Sequence, residues 1–398
     1  MRQPSFRELR SLLAAHPARA RRLALAIGLA VALAAVGVVF ALQRPPSGLL
    51  ATLSGPAGRT EISAAFSPDG KTLAVVSASN PLEPTPGSIS LWDVATRQWT
   101  ATLSSPPCAG AMPVLYSPDG QTLALFTYTK TTCLWNLTTG QETTLTDPGG
   151  TGPTEGAFSP DGTTLAVADC GNGSIYLWDL ASRRVTATLT NTSGCGEVYD
   201  GSRYTTMAFS PDGSMLAVSS PAETDVWDLA TKRVTARLLD PIRYNRQDGS
   251  IDTDSAAFSP DGMLAAGDAD GNVYLWNVSS RKVTATVTPP FNQGRAVAWY
   301  SANDVGIDPS PASWTDVEAV FSPSGKILAA NAAFGTGTYL YDVSSRKLLA
   351  TLTDPGTNTT YLPTVVFSPD GSMLAVVDSN GHTYLWHMPR LDTQGHGY

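Results

Sequence analysis

The side chains able to do covalent or metal chemistry are few in this chain, and their spacing does not assemble them. Of 398 residues four are histidine: His16, His382, His387 and His396. No pair of them has the spacing of a recognised zinc ligand set. The stretch "DADGN" (268–272) opens like a calcium loop but lacks the distal Glu that would complete it, and its composition is that of a hairpin turn. There is no G-x-S-x-G elbow and no phosphate-binding P-loop. No residue is therefore given a catalytic, cofactor-binding or metal role. The four cysteines, Cys108, Cys133, Cys170 and Cys195, lack the C-x-x-C spacing of a metal site. Their even number suits disulfides outside the cytoplasm and reduced thiols inside it. Asn136, Asn191, Asn277 and Asn358 head N-x-[ST] sequons, which matter only in a host that glycosylates them.

The charge is unevenly placed. Residues 1–44 hold seven arginines against the single acid Glu8, while the rest of the chain carries 19 basic and 33 acidic residues. An acidic body repels phosphate backbones, so nucleic acid is excluded as the main partner. Residues 23–42 read LALAIGLAVALAAVGVVFAL, 20 consecutive apolar residues. As a helix they span roughly 30 Å, the thickness of a bilayer's hydrocarbon core. Arg19, Arg21 and Arg22 precede the run, which puts the N-terminus in the cytoplasm and the body outside. An uncleaved signal anchor is expected. The rival is a cleaved signal ending at Val39-Phe40-Ala41, against which stands the length of the run, since a signal's apolar region has about 7–15 residues. Arg21-Arg22 hints at twin-arginine export. The basic stub 1–22 contains Ser5-Phe6-Arg7-Glu8, a capping box for a short helix ending near Pro17. Residues 43–48 form the linker to the body, and 389–398 a C-terminal tail.

The elements that position everything else announce themselves by a phrase. "FSPDG" at 66–70 returns at 158–162, 209–213, 258–262 and 367–371, with "YSPDG" at 116–120 and "FSPSG" at 321–325. Pro presets φ for a type I turn, Asp suits the next position and Gly accepts the left-handed conformation after it, the chemistry of a short hairpin with a bulge. In the copy at 155–189 this turn joins "GAF" to "TLAVAD". The segment "IYLWDL" follows, apolar at Ile175 and Leu177 on one face and at Tyr176, Trp178 and Leu180 on the other. A strand apolar on both faces lies between two sheets. A second turn, "ASRR", leads to "VTATL". Each unit is thus a four-stranded antiparallel meander that cannot cover its own faces, and a ring of such units covers them all.

The core of the third strand recurs at 91–93, 134–136, 177–179, 226–228, 275–277, 340–342 and 385–387, placing Trp92, Trp135, Trp178, Trp227, Trp276, Tyr341 and Trp386 in equivalent structural positions. With seven in-phase copies, residues 49–388 resemble the WD-repeat β-propeller family, bacterial members above all. The resemblance implies an all-β, seven-bladed propeller of four-stranded antiparallel blades. The Gly-His pair that the family places before its first strands is missing, which puts its buried hydrogen-bond tetrad in doubt. The fourth-strand phrase occurs as "LLATL" at 49–53, before the first turn, and no copy follows the last "LWH". Residues 49–53 are therefore expected to complete the last blade and close the ring.

In that family the two short turns of each blade share the bottom face and the two other connections share the top. Here the bottom turns are nearly constant and the top loops vary, the longest running from Thr288 to about Val317. It holds Phe291, Trp299, Tyr300 and Trp314, candidates for contact with a partner, or for plugging the channel. The third-to-fourth turns carry Arg97, Arg183, Arg184, Lys232, Arg233, Arg281, Lys282, Arg346 and Lys347. These either face anionic headgroups near the anchor or form an ordinary solvated ring. Of the three possible cysteine pairings, 108–133 with 170–195 is the expected one. The resulting expectation is a monomeric, membrane-tethered, extracytoplasmic propeller without cofactor, which serves as a scaffold for a protein or peptide partner. The alternatives are a lactonase-like or hydrolase-like enzyme working at the central channel, and the sensor domain of a surface signalling system.

Overall fold

The repeated phrase folds the same way at nearly every copy. In the first, the Gly70 N–H donates to the Ser67 carbonyl at 2.8 Å and the Ser67 N–H to the Thr72 carbonyl at 2.8 Å. The Ser67 hydroxyl donates to Asp69 Oδ1 (2.7 Å) while accepting from the Thr72 N–H (2.9 Å). Gly70 sits at φ +70°, in the left-handed region that favours glycine. Copy five is one residue shorter, so Ser259 N–H reaches Met263 O. In copy six Ser324 stands in for the aspartate and its hydroxyl meets that of Ser322 at 3.1 Å.

The computed structural model describes residues 48–388, apart from the connecting residues 55–59, 79–87, 105–110, 128–130, 150–153, 170–171, 191–195, 198–202, 205, 221–222, 240–254, 268–271, 291–296, 302–303, 309–316, 333–336, 354, 356–363 and 378–381. The turns organise it into seven four-stranded antiparallel sheets, each a simple meander. Blades 1 to 6 run over 60–104, 111–146, 154–190, 207–239, 255–287 and 317–353. Blade 7 takes three strands from 364–387 and its fourth from Leu49–Ser54. Leu49 opposes Trp386, Leu53 opposes Thr383 and Ser54 opposes His382, and the His387 N–H donates to the Gly48 carbonyl at 2.7 Å. The ring is thus closed by hydrogen bonds between the two ends of the propeller, in the register that the displaced "LLATL" predicts.

The first strands of successive blades pack against one another all the way round, which puts them at the centre and the fourth strands at the rim. Burial follows the two-faced pattern of the third strand. Ile175 and Leu177 enter the cluster between blades 3 and 4, while Tyr176 and Trp178 enter the cluster between blades 2 and 3. Seven such clusters occupy the seven seams, and the one joining blade 7 to blade 1 contains Leu53 beside Phe66 and Leu73. Trp178, Trp227, Trp276, Tyr341 and Trp386 are buried, and Trp92 and Trp135 are half-buried.

Among the described residues no helix is long and apolar enough to cross a membrane. The apolar run 23–42, the capping box at Ser5–Glu8, the tail 389–398, His16 and His396 lie outside the described residues.

Candidate functional site

The bottom face is spent on holding the ring together. Each Gly of the repeated phrase faces the Pro of the preceding blade's phrase: a Cβ on Gly120 would lie 3.3 Å from Pro68 Cδ, and one on Gly325 would lie 3.1 Å from Pro260 Cδ. Gly162 meets Pro118, Gly213 meets Pro160, Gly371 meets Pro323, and Gly70 meets Pro369 across the closure. The exception is Gly262 of the shortened copy, whose Cβ would meet nothing within 4 Å. The recurrence of Pro and Gly therefore has an inter-blade cause as well as a local one.

The third-to-fourth turns show a second device. Their left-handed position is held by Arg97, Arg183, Lys232, Arg281 and Arg346, with φ between 54° and 61°, and by Gly140 only in blade 2. A side chain there costs about 1 kcal/mol or more. Three of these arginines reach the preceding blade's outer strand: Arg97 donates to the Leu50 carbonyl at 3.2 Å, Arg346 to the Thr284 carbonyl at 2.8 Å, and Arg281 to the Thr235 carbonyl. All three acceptors are the residues that the ladder skips at a β-bulge, which lie between Leu49 and Ala51, between Val283 and Ala285, and between Val234 and Ala236. A bulge leaves its extra residue outside the ladder, and the guanidinium supplies a donor to its carbonyl. Blade 2, with Gly140, has no bulge: Leu134 opposes Thr143 and Trp135 opposes Glu142 directly. The carboxylates on this face are also engaged. The Ser210 hydroxyl, with the Ser214 N–H and hydroxyl, holds Asp212 down at about 2, and hydroxyl donors lower Asp69, Asp119, Asp161, Asp370, Asp93 and Asp179 in the same direction.

The top face carries what varies. Two hairpins lie outside the blades, and each belongs to a fourth-to-first connection: Gly196–Glu197 with Arg203–Tyr204, and Val297–Ser301 with Asp304–Asp308. Trp299 and Tyr300 lie in the second, opposite Gly306 and Val305. Phe291 and Trp314 fall outside the described residues, as do Cys108, Cys170 and Cys195. Cys133 is disulfide-bonded and fully buried in the seam between blades 1 and 2. Asn272, the end of the "DADGN" stretch, is buried and accepts from the Thr288 hydroxyl at 2.7 Å. Asn136 and Asn277 accept turn N–H groups from Thr139 and Ser280, taking the part that aspartate plays in the other blades. Among the described residues no group of three His, Cys, Asp or Glu could hold a metal ion.

The channel mouth holds residues that sequence reasoning missed. Three positions ahead of the Phe or Tyr of each phrase stand Ser63, Pro113, Glu155, Thr206, Ser255, Glu318 and Thr364. An inner strand is a sheet edge whose outward N–H groups need acceptors, and side chains of this column supply them to the next blade. Val114 N–H donates to Ser63 Oγ (3.2 Å), Ala319 N–H to Ser255 Oγ (3.2 Å), and Val365 N–H to Glu318 Oε2 (3.0 Å). The strands packed on Val317–Phe321, namely Ser255–Phe258, Met263–Gly267, Ile327–Ala332 and Thr364–Phe367, contain no ionisable side chain. Burial pushes the Glu318 carboxyl up to about 8, against the Val365 N–H and with help from the charge of Glu155 in blade 3. Aligning the seven copies on the aromatic residue would have shown that the column's two acids stand in blades three apart.

A second buried acid marks the gap left by the absent Gly-His pair. Asp147, in the connection from blade 2 to blade 3, is buried with neither carboxylate oxygen hydrogen-bonded. Burial and the charge of Asp169 raise it to about 7, opposed by the Trp178 indole, which lacks full hydrogen-bond geometry to it. The indole N–H groups of Trp92, Trp178, Trp227 and Trp386 have no hydrogen-bond partner among the described residues.

Compared with known proteins, residues 151–179 and 248–277 match the family described as WD domain, G-beta repeat. The two segments end in the third strands of blades 3 and 5. No curated protein matches the chain.

Proposed function

We propose that this seven-bladed WD-repeat propeller is a protein-interaction scaffold, tethered outside the cytoplasm by residues 23–42 and presenting its top-face connections to a protein or peptide partner. The observation that carries the proposal is the contrast between the two ends of the blades. The bottom turns are committed to the ring, Pro against Gly and Arg against bulge carbonyl. Both hairpins added to the blades, and the aromatic-rich run 288–316, belong to the opposite end. Aromatic residues carried on the connections of a rigid frame are common binding anchors. The chemistry is recognition, with no covalent step. A photo-crosslinking residue in place of Tyr300 should yield an adduct in intact cells, and the same residue in place of Thr96 on the bottom face should not. Adducts from Thr96 alone would reverse the assignment of faces.

A second reading, a hydrolase-like enzyme at the channel, is favoured by Glu318 and Glu155. One carboxyl that keeps its proton near neutral pH, under the charge of a second acid, is the pattern of a general acid–base pair. Hydrolysis of simple lactones or esters by the purified chain, abolished in both Glu318→Gln and Glu155→Gln, would support it. Turnover unaffected by either change would eliminate it.

A further inference from the structure

Among the described residues three large apolar side chains are exposed, and two of them share one position in the repeat: Trp99 (58%) in blade 1 and Leu348 (45%) in blade 6. Each is the fourth-strand residue opposite the third-strand aromatic, Trp92 and Tyr341 respectively. Leu49 holds the same position in blade 7, opposite Trp386, and is half-buried against the seam between blades 6 and 7. The equivalent residues of blades 2 to 5 are Glu142, Val185, Val234 and Val283, each acidic or small and none of them fully exposed. The two exposed apolar residues at this position therefore stand on blades 6 and 1, on either side of blade 7, at the bottom end of the rim. Blade 7, in the middle, is where the chain joins the propeller at Gly48. The indole N–H of Trp99 is already committed to the Ala101 carbonyl at 2.8 Å, so the exposed ring presents apolar surface. Arg97 lies two residues before Trp99, and Arg346 and Lys347 directly precede Leu348. Large apolar groups flanked by cations are the composition of a membrane-interface anchor.

We propose that the rim on either side of blade 7, through Trp99 and Leu348, rests in the interfacial layer of a phospholipid bilayer, with the neighbouring arginines and Lys347 at headgroup level. The proposal rests on the tethered reading of residues 23–42, and the occupant follows from it. The apolar run is joined to Gly48 by residues 43–47 alone, which extended reach roughly 17 Å, so the surface nearest Gly48 is the one offered to lipid.

The test uses the full chain reconstituted into phosphatidylcholine vesicles whose acyl chains are brominated near the headgroup. Tryptophan emission should be quenched in the wild type, and Trp99→Phe should remove at least half of the quenched fraction. Trp99 is exposed and the change is conservative, so the variant should fold, as an unchanged melting temperature would verify. Equal quenching in the two proteins would overturn the proposal. Two further outcomes would also overturn it. One is release of the chain from the vesicles by alkaline carbonate, which defeats the tethered reading as well. The other is a dimer crosslinked through Trp99→Cys, which would put a second copy on the rim while leaving the tether intact.

Discussion

At the residue scale the unusual groups are those whose ionisation the fold resists. Glu318 is raised from 4.5 to about 8 by burial and by Glu155. A carboxyl raised in the folded state contributes stability that is full below its unfolded pKa and is lost as pH rises through its folded one. The melting temperature of the wild type should therefore fall between about pH 5 and 8, and in Glu318→Gln that fall should shrink. A wild-type melting temperature that is flat over this range would contradict the environment described for Glu318. At the acid end the sign reverses: the lowered turn aspartates, Asp212 at about 2, contribute above about pH 4, and that contribution is lost as pH drops toward 2. The glycines permit a cleaner comparison. Gly325 and Gly262 both lie at positive φ, but only Gly325 faces a proline at 3.1 Å. Gly325→Ala should cost roughly 1 kcal/mol more than Gly262→Ala, the added amount being overpacking. Denaturant titration of the two variants measures the difference, and equal losses would mean that the Pro–Gly contact carries no energy.

At the scale of elements, much was legible because turn chemistry and strand periodicity are local. Ser-Pro-Asp-Gly specifies its own turn, and alternation over Ile175 to Trp178 announces a strand buried on both faces. What was not legible is what one blade does to the next. The sequence places arginine at left-handed turn positions where propensity favours glycine, and at Arg97, Arg281 and Arg346 the bulge carbonyl of the neighbouring blade explains it. Glu155 and Glu318 were missed for the same reason, since the charge of one reaches the other only in the assembled ring. The clasp makes a prediction at this scale. Arg346→Ala keeps the left-handed strain and loses the hydrogen bond, so it should destabilise by about 1–2 kcal/mol. Arg346→Gly relieves that strain and should lie about 1 kcal/mol above the alanine variant. If alanine proved the better replacement, the strain assigned to this position would be wrong.

At the scale of the molecule, seven sheets that could not stand singly cover one another, and the ring closes because its fourth strand of blade 7 is borrowed from residues 49–54. That order was readable from the misplaced "LLATL", since a repeat missing its last strand implies a partner elsewhere. The closing strand should then behave as core. Leu53, 2% exposed, and Leu189, 1% exposed, occupy equivalent positions in blades 7 and 3, and alanine at either should cost about 2–4 kcal/mol. A nearly silent Leu53→Ala would mean that the ring is open. The top connections are less readable, because long loops lack the periodicity that reveals strands, and the hairpin at Val297–Asp308 was anticipated only as a loop with aromatic residues. Closure makes the frame independent of these insertions, and this is the property that a display scaffold needs. The direct test is to replace residues 291–316 with a short Asn-Gly turn and to follow both the melting temperature and the partner adduct formed from a crosslinker in the Gly196–Tyr204 hairpin. A scaffold that recognises its partner through the top face should melt within a few degrees of the wild type and lose most of the adduct. An undiminished adduct, or a frame that unfolds without the insertion, would contradict it.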